Sequence, residues 1–143
     1  MQRHEQGQSS IEQEVTALVK ITVRPQDTHR LISVLRAGVG PIMAHPACLD
    51  CRVLQDVAEN DTAVFLERWR SLEALERHIR SEEYRSVLAA IELACEPPEV
   101  LIGTITGSRG IDYIVELRTG EPSRKPLKAE KDSGERDQEK KSR

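Results

Sequence analysis

Five residues near the middle of the chain have types and spacings that can do chemistry: Phe65, Glu67, Trp69, His78 and Tyr84. Phe65, Glu67 and Trp69 alternate, so in a strand they project from one face. His78 falls in a helical stretch whose Leu72, Leu75 and Ile79 share a side. At about 100° per residue it stands about 60° from Leu75, on the edge of that apolar stripe. If the helix folds back over the strand, an imidazole titrating near neutrality meets an indole, and such a pair can hold or deprotonate a phenol. Each residue also has a structural role open to it. Trp69 can be plain core, His78 a histidine at a stripe edge, and Tyr84 a packing residue in the middle of the next stripe. Glu67 needs a partner or a pocket, because a lone buried carboxylate is costly. Arg52, on the neighbouring strand of a hairpin, is the expected partner. Cys48 and Cys51 form a C-x-x-C without a second pair to complete a zinc site. They begin a strand rather than a helix, so no helix N-terminus lowers their thiol pKa. Three apart in a regular strand, they point to opposite faces and read as two small apolar side chains. No metal site is expected.

The elements that must position these residues follow from periodicity. Val15, Ala17, Val19, Ile21 and Val23 make one unbroken apolar face of a strand ended by Pro25, while the opposite face is polar except for Leu18. A helix begins at about Asp27 or Thr28 with Leu31, Val34 and Leu35 inward. Gly38, Gly40 and Pro41 predict a kink or break, with Ile42 and Met43 still facing the core. His45-Pro46 closes the segment. Residues 48–57 read as a second strand with Leu49, Cys51, Val53 and Val57 on one face. Glu59-Asn60-Asp61 is turn chemistry, and a third strand around Val64-Phe65-Leu66 completes a hairpin. Ser71 and Ser81 are each placed to cap a helix, and Tyr84, Val87, Leu88, Ile91 and Cys95 form the stripe of the second of these. A fourth strand runs from Glu99 to Thr106, and Ile111–Arg118 reads as a fifth. The order is β-α-β-β-α-(α)-β, the α+β, ferredoxin-like split βαβ arrangement, with helices on one face of an antiparallel sheet. In so small a domain the other face needs cover, and sheet-to-sheet dimerisation is its simplest source.

The totals narrow the functional classes. The chain has 143 residues and a net charge of −3. Residues 1–14 and 119–143 hold few large apolar side chains, so both ends are expected to be disordered around a domain of residues 15–118. No basic face with interleaved aromatics points to nucleic acid. No apolar run is long enough for a membrane span, and MQRHEQGQSS lacks the apolar stretch of a signal peptide. Three cysteines fit a reducing, cytoplasmic setting.

Pro46-Ala47-Cys48-Leu49-Asp50-Cys51 leading into a strand, then Glu67-Arg68-Trp69, then Leu75-Glu76-Arg77-His78 and Ser81-Glu82-Glu83-Tyr84, resembles the antibiotic biosynthesis monooxygenase (ABM) domain family, including its quinol monooxygenase members, over roughly residues 15–106. The resemblance implies a dimeric α+β barrel built from two ferredoxin-like protomers. It also implies oxidation of a small phenolic or quinol-type substrate by molecular oxygen with no cofactor, the substrate anion supplying the electron. Trp69 and His78 match positions that line the family's pocket, and they are the catalytic candidates. Phe65, Glu67, Arg52 and Tyr84 are the candidate substrate contacts. With only four aromatic residues in the chain, a small quinol suits the interior better than a polycyclic substrate. Residues 15–24 contain no Asn, which disfavours the family's haem-degrading branch. A non-catalytic small-molecule-binding or stress-related module on the same scaffold is the alternative, since fold alone does not fix function.

Overall fold

The computed structural model describes residues 12–122; residues 1–11 and 123–143, which hold most of the two expected disordered ends, lie outside it. The expected alternation of the first strand is realised in β1 (Val15–Thr22), whose Val15, Ala17, Val19 and Ile21 are buried while the intervening residues are half-buried. β1 lies inside a four-stranded antiparallel sheet of order β2-β3-β1-β4, with β2 at Cys48–Gln55, β3 at Thr62–Trp69 and β4 at Glu99–Thr104. Three helices complete this unit: α1 (Thr28–Met43), α2 (Leu72–Ile79) and α3 (Arg85–Glu92), with single 3-10 turns at Pro25–Asp27 and Glu82–Tyr84. The topology is the ferredoxin-like one expected. No helix among the described residues is long and apolar enough to cross a membrane.

Several local expectations are corrected. The α1 helix runs unbroken through Pro41 to Met43. Proline there forfeits one bond to the carbonyl of Ala37, and Ala37 is exposed, so water can take its place. Ile42 is buried as expected, but Met43 is 43% exposed. The second strand ends at Gln55, and Val57 stands 95% exposed in the hairpin loop. Asp56 there accepts the backbone N–H groups of Ala58 and Glu59, turn bonds that end the strand before Val57 can join its apolar face. Ser71 caps α2 by accepting the Ala74 N–H at 3.1 Å, as expected, whereas Ser81 donates to the His78 carbonyl at 2.6 Å and caps nothing. Leu88 and Cys95 lie outside the buried stripe, which in α3 is Val87 and Ala90.

The chain divides into two compact units after Gly107. The stretch expected as a fifth strand is α4 (Ile111–Thr119), in the second unit. Its β-branched composition favours a strand, but its end signals favour a helix. Asp112 occupies the first turn, Arg118 the last, and Gly120 at φ +70° sends its N–H to the Glu116 carbonyl at 2.8 Å.

Two helices close tightly at one point. A methyl group added at Gly38 would collide with Oγ of Ser86, where α1 crosses α3. Gly38→Val is therefore expected to cost about 1–3 kcal/mol through overpacking, read as a lowered Tm. An unchanged Tm would show that the crossing has slack.

Candidate functional site

The register of the sheet places the candidate site. Ala17 of β1 and Cys51 of β2 stand opposite Glu67 on either side. Both are small, so the carboxylate sits in a dip in the sheet's inner face with room above it. The face of α2 that fills this room is not the expected one. Its buried residues are Ala74, Leu75 and His78, and Leu72 is 47% exposed. The helix is rotated so that His78 sits in the interior rather than at a stripe edge.

His78 and Glu67 meet there with side-chain exposures of 3% and 1%. Nε2 of His78 lies 2.9 Å from Oε1 of Glu67, which is ion-pair distance. Nε2 nevertheless lies off the line of a well-formed hydrogen bond and has no other partner among the described residues. Trp69 donates its indole N–H to the same oxygen at a long 3.4 Å. The imidazole stacks on the Trp69 ring, with centroids 4.6 Å apart and planes 27° from parallel. Tyr84 meets the His78 ring edge-on at 5.4 Å, and His45 meets Trp69 at 5.3 Å. The helix thus folds back over the strand in the way the sequence required.

Not all candidates converge. Arg52 does not pair with Glu67. Its register partner is Leu66, on the opposite face, and its guanidinium bonds Asp50 at 2.9 Å. Phe65 is wholly buried core below the site. Tyr84 is half-buried beside His78. Burial pushes the Tyr84 phenol up, and Glu67 adds to the shift.

Residues that the sequence reading passed over also belong here. His45, read only as a segment end, accepts the Ala47 N–H at Nδ1 (3.1 Å). It reaches Trp69 because Arg70 N–H bonds the Ala47 carbonyl, a long-range pairing with no local signature. A β-bulge between Cys48 and Asp50 places Cys48 opposite Trp69, so Cys48 and Cys51 share the inner face instead of opposing faces. Burial pushes the Cys51 thiol up to about 12, with Glu67 contributing. Cys48 is raised for the same two reasons.

A cavity of about 270 Å³ opens beside this cluster, lined by Pro41, Ile42, Ala44, His45, Pro46, His78 and Glu83. His78 supplies its buried floor, whereas His45 and Glu83 are exposed. Trp69 is wholly buried and supports His78 from behind rather than lining the cavity.

The profile of the antibiotic biosynthesis monooxygenase family matches residues 14–90, just over half of the chain. The chain belongs to that family. A curated relative, an uncharacterized protein of Synechocystis, is 25% identical over 83 residues, and the match spans 57% of this chain and 56% of that relative's length. Among solved structures, a Pseudomonas aeruginosa protein (PA3566) is 26% identical with a TM-score of 0.60, over 68% of this chain and 98% of that one. The crystal structure of an antibiotic biosynthesis monooxygenase aligns with a TM-score of 0.60 at 19% identity, over 65% of this chain and 99% of that one. Likeness at that identity establishes the shared fold. The Glu67–Trp69–His78 cluster of this chain thus sits on a scaffold seen repeatedly in crystals.

Two outcomes follow from this geometry. Removing one member of the buried pair, by His78→Ala or Glu67→Ala, is expected to cost about 3–5 kcal/mol, and the double change to Leu at both positions to recover much of it. Denaturant melts of the three variants check this. The second outcome concerns alkali. Cys48, Cys51 and Tyr84 all have folded pKa values raised above their ordinary ones. The fold therefore favours their protonated forms, and the stability they contribute is complete below about pH 9 and lost as pH rises through their raised values, which for Cys51 is about 12. Tm measured from pH 7 to 11 is expected to fall above about pH 9, less steeply for Cys51→Ala.

Proposed function

We propose that the protein is a cofactor-independent monooxygenase acting on a small phenolic or quinol-type substrate. The observation that carries this reading is His78, buried against Trp69 and Glu67 yet forming the floor of a one-ring-sized cavity. His78 takes the hydroxyl proton. Glu67 holds the ring in place and stabilises the imidazolium that results. Trp69 fixes the plane of the imidazole from behind. The phenolate passes its electrons to molecular oxygen; one oxygen atom replaces hydrogen on a ring carbon, the other leaves as water, and the ring becomes a quinone. All four electrons come from the ring, so no further reductant is needed. The proton held by His78 returns to the departing hydroxide. Tyr84 and Phe65 complete the apolar surroundings, and Arg52 has no part in the site.

The reading includes a cytoplasmic homodimer packed sheet to sheet. The sheet's open face carries half-buried Leu18 and Leu66 and exposed Leu54 and Leu101, a surface that a second copy would cover. Sedimentation is expected to give twice the 16.1 kDa chain mass, and a monomer at micromolar concentration would remove the barrel. The second reading, a binding module without turnover, is favoured by the complete burial of Trp69 away from the cavity.

Oxygen uptake with a panel of small quinols, without added metal or flavin, separates the two. His78→Gln is expected to lower kcat by roughly 10²- to 10⁴-fold with a smaller effect on KM. Binding of the same compounds with no oxygen uptake by the wild type would leave the module.

A further inference from the structure

A larger cavity of about 490 Å³ lies where α1 passes the edge strand β2, and it shares no lining residue with the one beside His78. Its helix side is one strip of α1, formed by Arg36, Val39 and Gly40 at i, i+3 and i+4. Its strand side takes Cys51 and Val53 from the inner face of β2 and Arg52 from the outer face, because the cavity wraps the open edge of the sheet. Two guanidiniums therefore border one space whose remaining lining is apolar.

The charges there do not cancel. Arg36 forms no ion pair or hydrogen bond among the described residues, and α1 has no acidic residue to answer it. Arg52 is tied through Nε to Asp50 at 2.9 Å. It holds that carboxyl below the usual range, so Asp50 is ionised. The terminal nitrogens of Arg52 keep their N–H donors. Two guanidiniums against one carboxylate leave a net charge of +1. The strand edge adds a backbone donor. Alternate N–H groups of an edge strand point away from its neighbour. That of Cys51 goes to the Asp50 carboxylate at 3.1 Å, and the next in the alternation is that of Val53.

We propose that this cavity binds a small organic carboxylate, with the carboxylate between Arg36 and Arg52 and the apolar body against Val39 and Val53. The planar fork of a guanidinium matches a carboxylate. One added negative charge neutralises the cavity, whereas a phosphate monoester, with nearly two, exceeds it. The site is independent of the monooxygenase reading and stands whether or not that chemistry occurs.

Calorimetry on the full chain with hexanoate, hexanol, acetate and hexyl phosphate tests this. Hexanoate is expected to bind saturably and more tightly than the other three: hexanol lacks the charge, acetate the apolar body, and hexyl phosphate the matching charge. Arg36→Gln is expected to weaken hexanoate roughly 10- to 100-fold, the worth of hydrogen bonds to a charged group, and Arg36→Lys to restore part of the loss. Gly40 allows the cavity to be blocked without harm to the fold. A Cβ there meets nothing within 4 Å, and leucine is the better helix former. Gly40→Leu is expected to abolish hexanoate binding with Tm unchanged or raised. Glu83→Gln removes a charge that repels anions from the other cavity, and it is expected to leave hexanoate binding unchanged. No saturable binding of hexanoate, full binding retained in either Arg36→Gln or Gly40→Leu, or tighter binding in Glu83→Gln overturns the proposal. Tighter binding of hexyl phosphate or hexanol than of hexanoate overturns it equally.

Discussion

A carboxylate on the inner face of a sheet is a demand that the rest of the domain must meet. Glu67 is almost wholly shielded, and at that depth it costs several kcal/mol unless a counterpart reaches it. Its sheet neighbours Ala17 and Cys51 offer space but no donor strong enough to answer it. The answer comes from above, and this sets the path of the chain after β3. Ser71 starts a helix at once, and α2 turns its His78 side, not its Leu72 side, toward the sheet. Trp69 then has a stacking partner, and Tyr84 and His45 close around the pair.

The same pair separates two environments within one small cavity. At its floor the imidazole is dry, backed by an indole and tied to a carboxylate, conditions that strengthen electrostatic interactions. At its rim His45 and Glu83 are wet and hydrogen-bonded locally. The fold supplies this asymmetry because one histidine comes from a helix laid on the sheet and the other from the loop after α1.

Much of the fold was legible because its signals are local. The unbroken alternation of β1, the Ser71 cap and the turn chemistry before β3 each act within a few residues, and the ferredoxin-like order follows from them. The candidate site was legible in part: the Glu67, Trp69 and His78 cluster was expected, but not the depth of His78. Apolar periodicity assigned Leu72 to the core, and pairing with Glu67 displaced it. Arg52 was misplaced because charge complementarity is blind to face, and only the ladder shows that Cys51, not Arg52, adjoins Glu67. In α4, β-branched residues suggested a strand while the helix's end signals prevailed. His45 lacked any local sign, since a backbone bond between distant segments brings it in.

The bulge in β2 has a consequence for how this protein tolerates change in chain length. Strand faces obey a parity rule, and one extra residue at Leu49 reverses parity for everything before it in β2. Cys48 opposes Trp69 only because of that reversal. Removing Leu49 would take out the bulge and leave Cys48 two residues from Cys51 in a regular ladder, still opposite Trp69 and still on the inner face, with the His45–Pro46 corner of the cavity following it as before. Substitutions at Leu49 touch a half-buried side chain, and a deletion there shortens the strand while leaving the same residues on the inside.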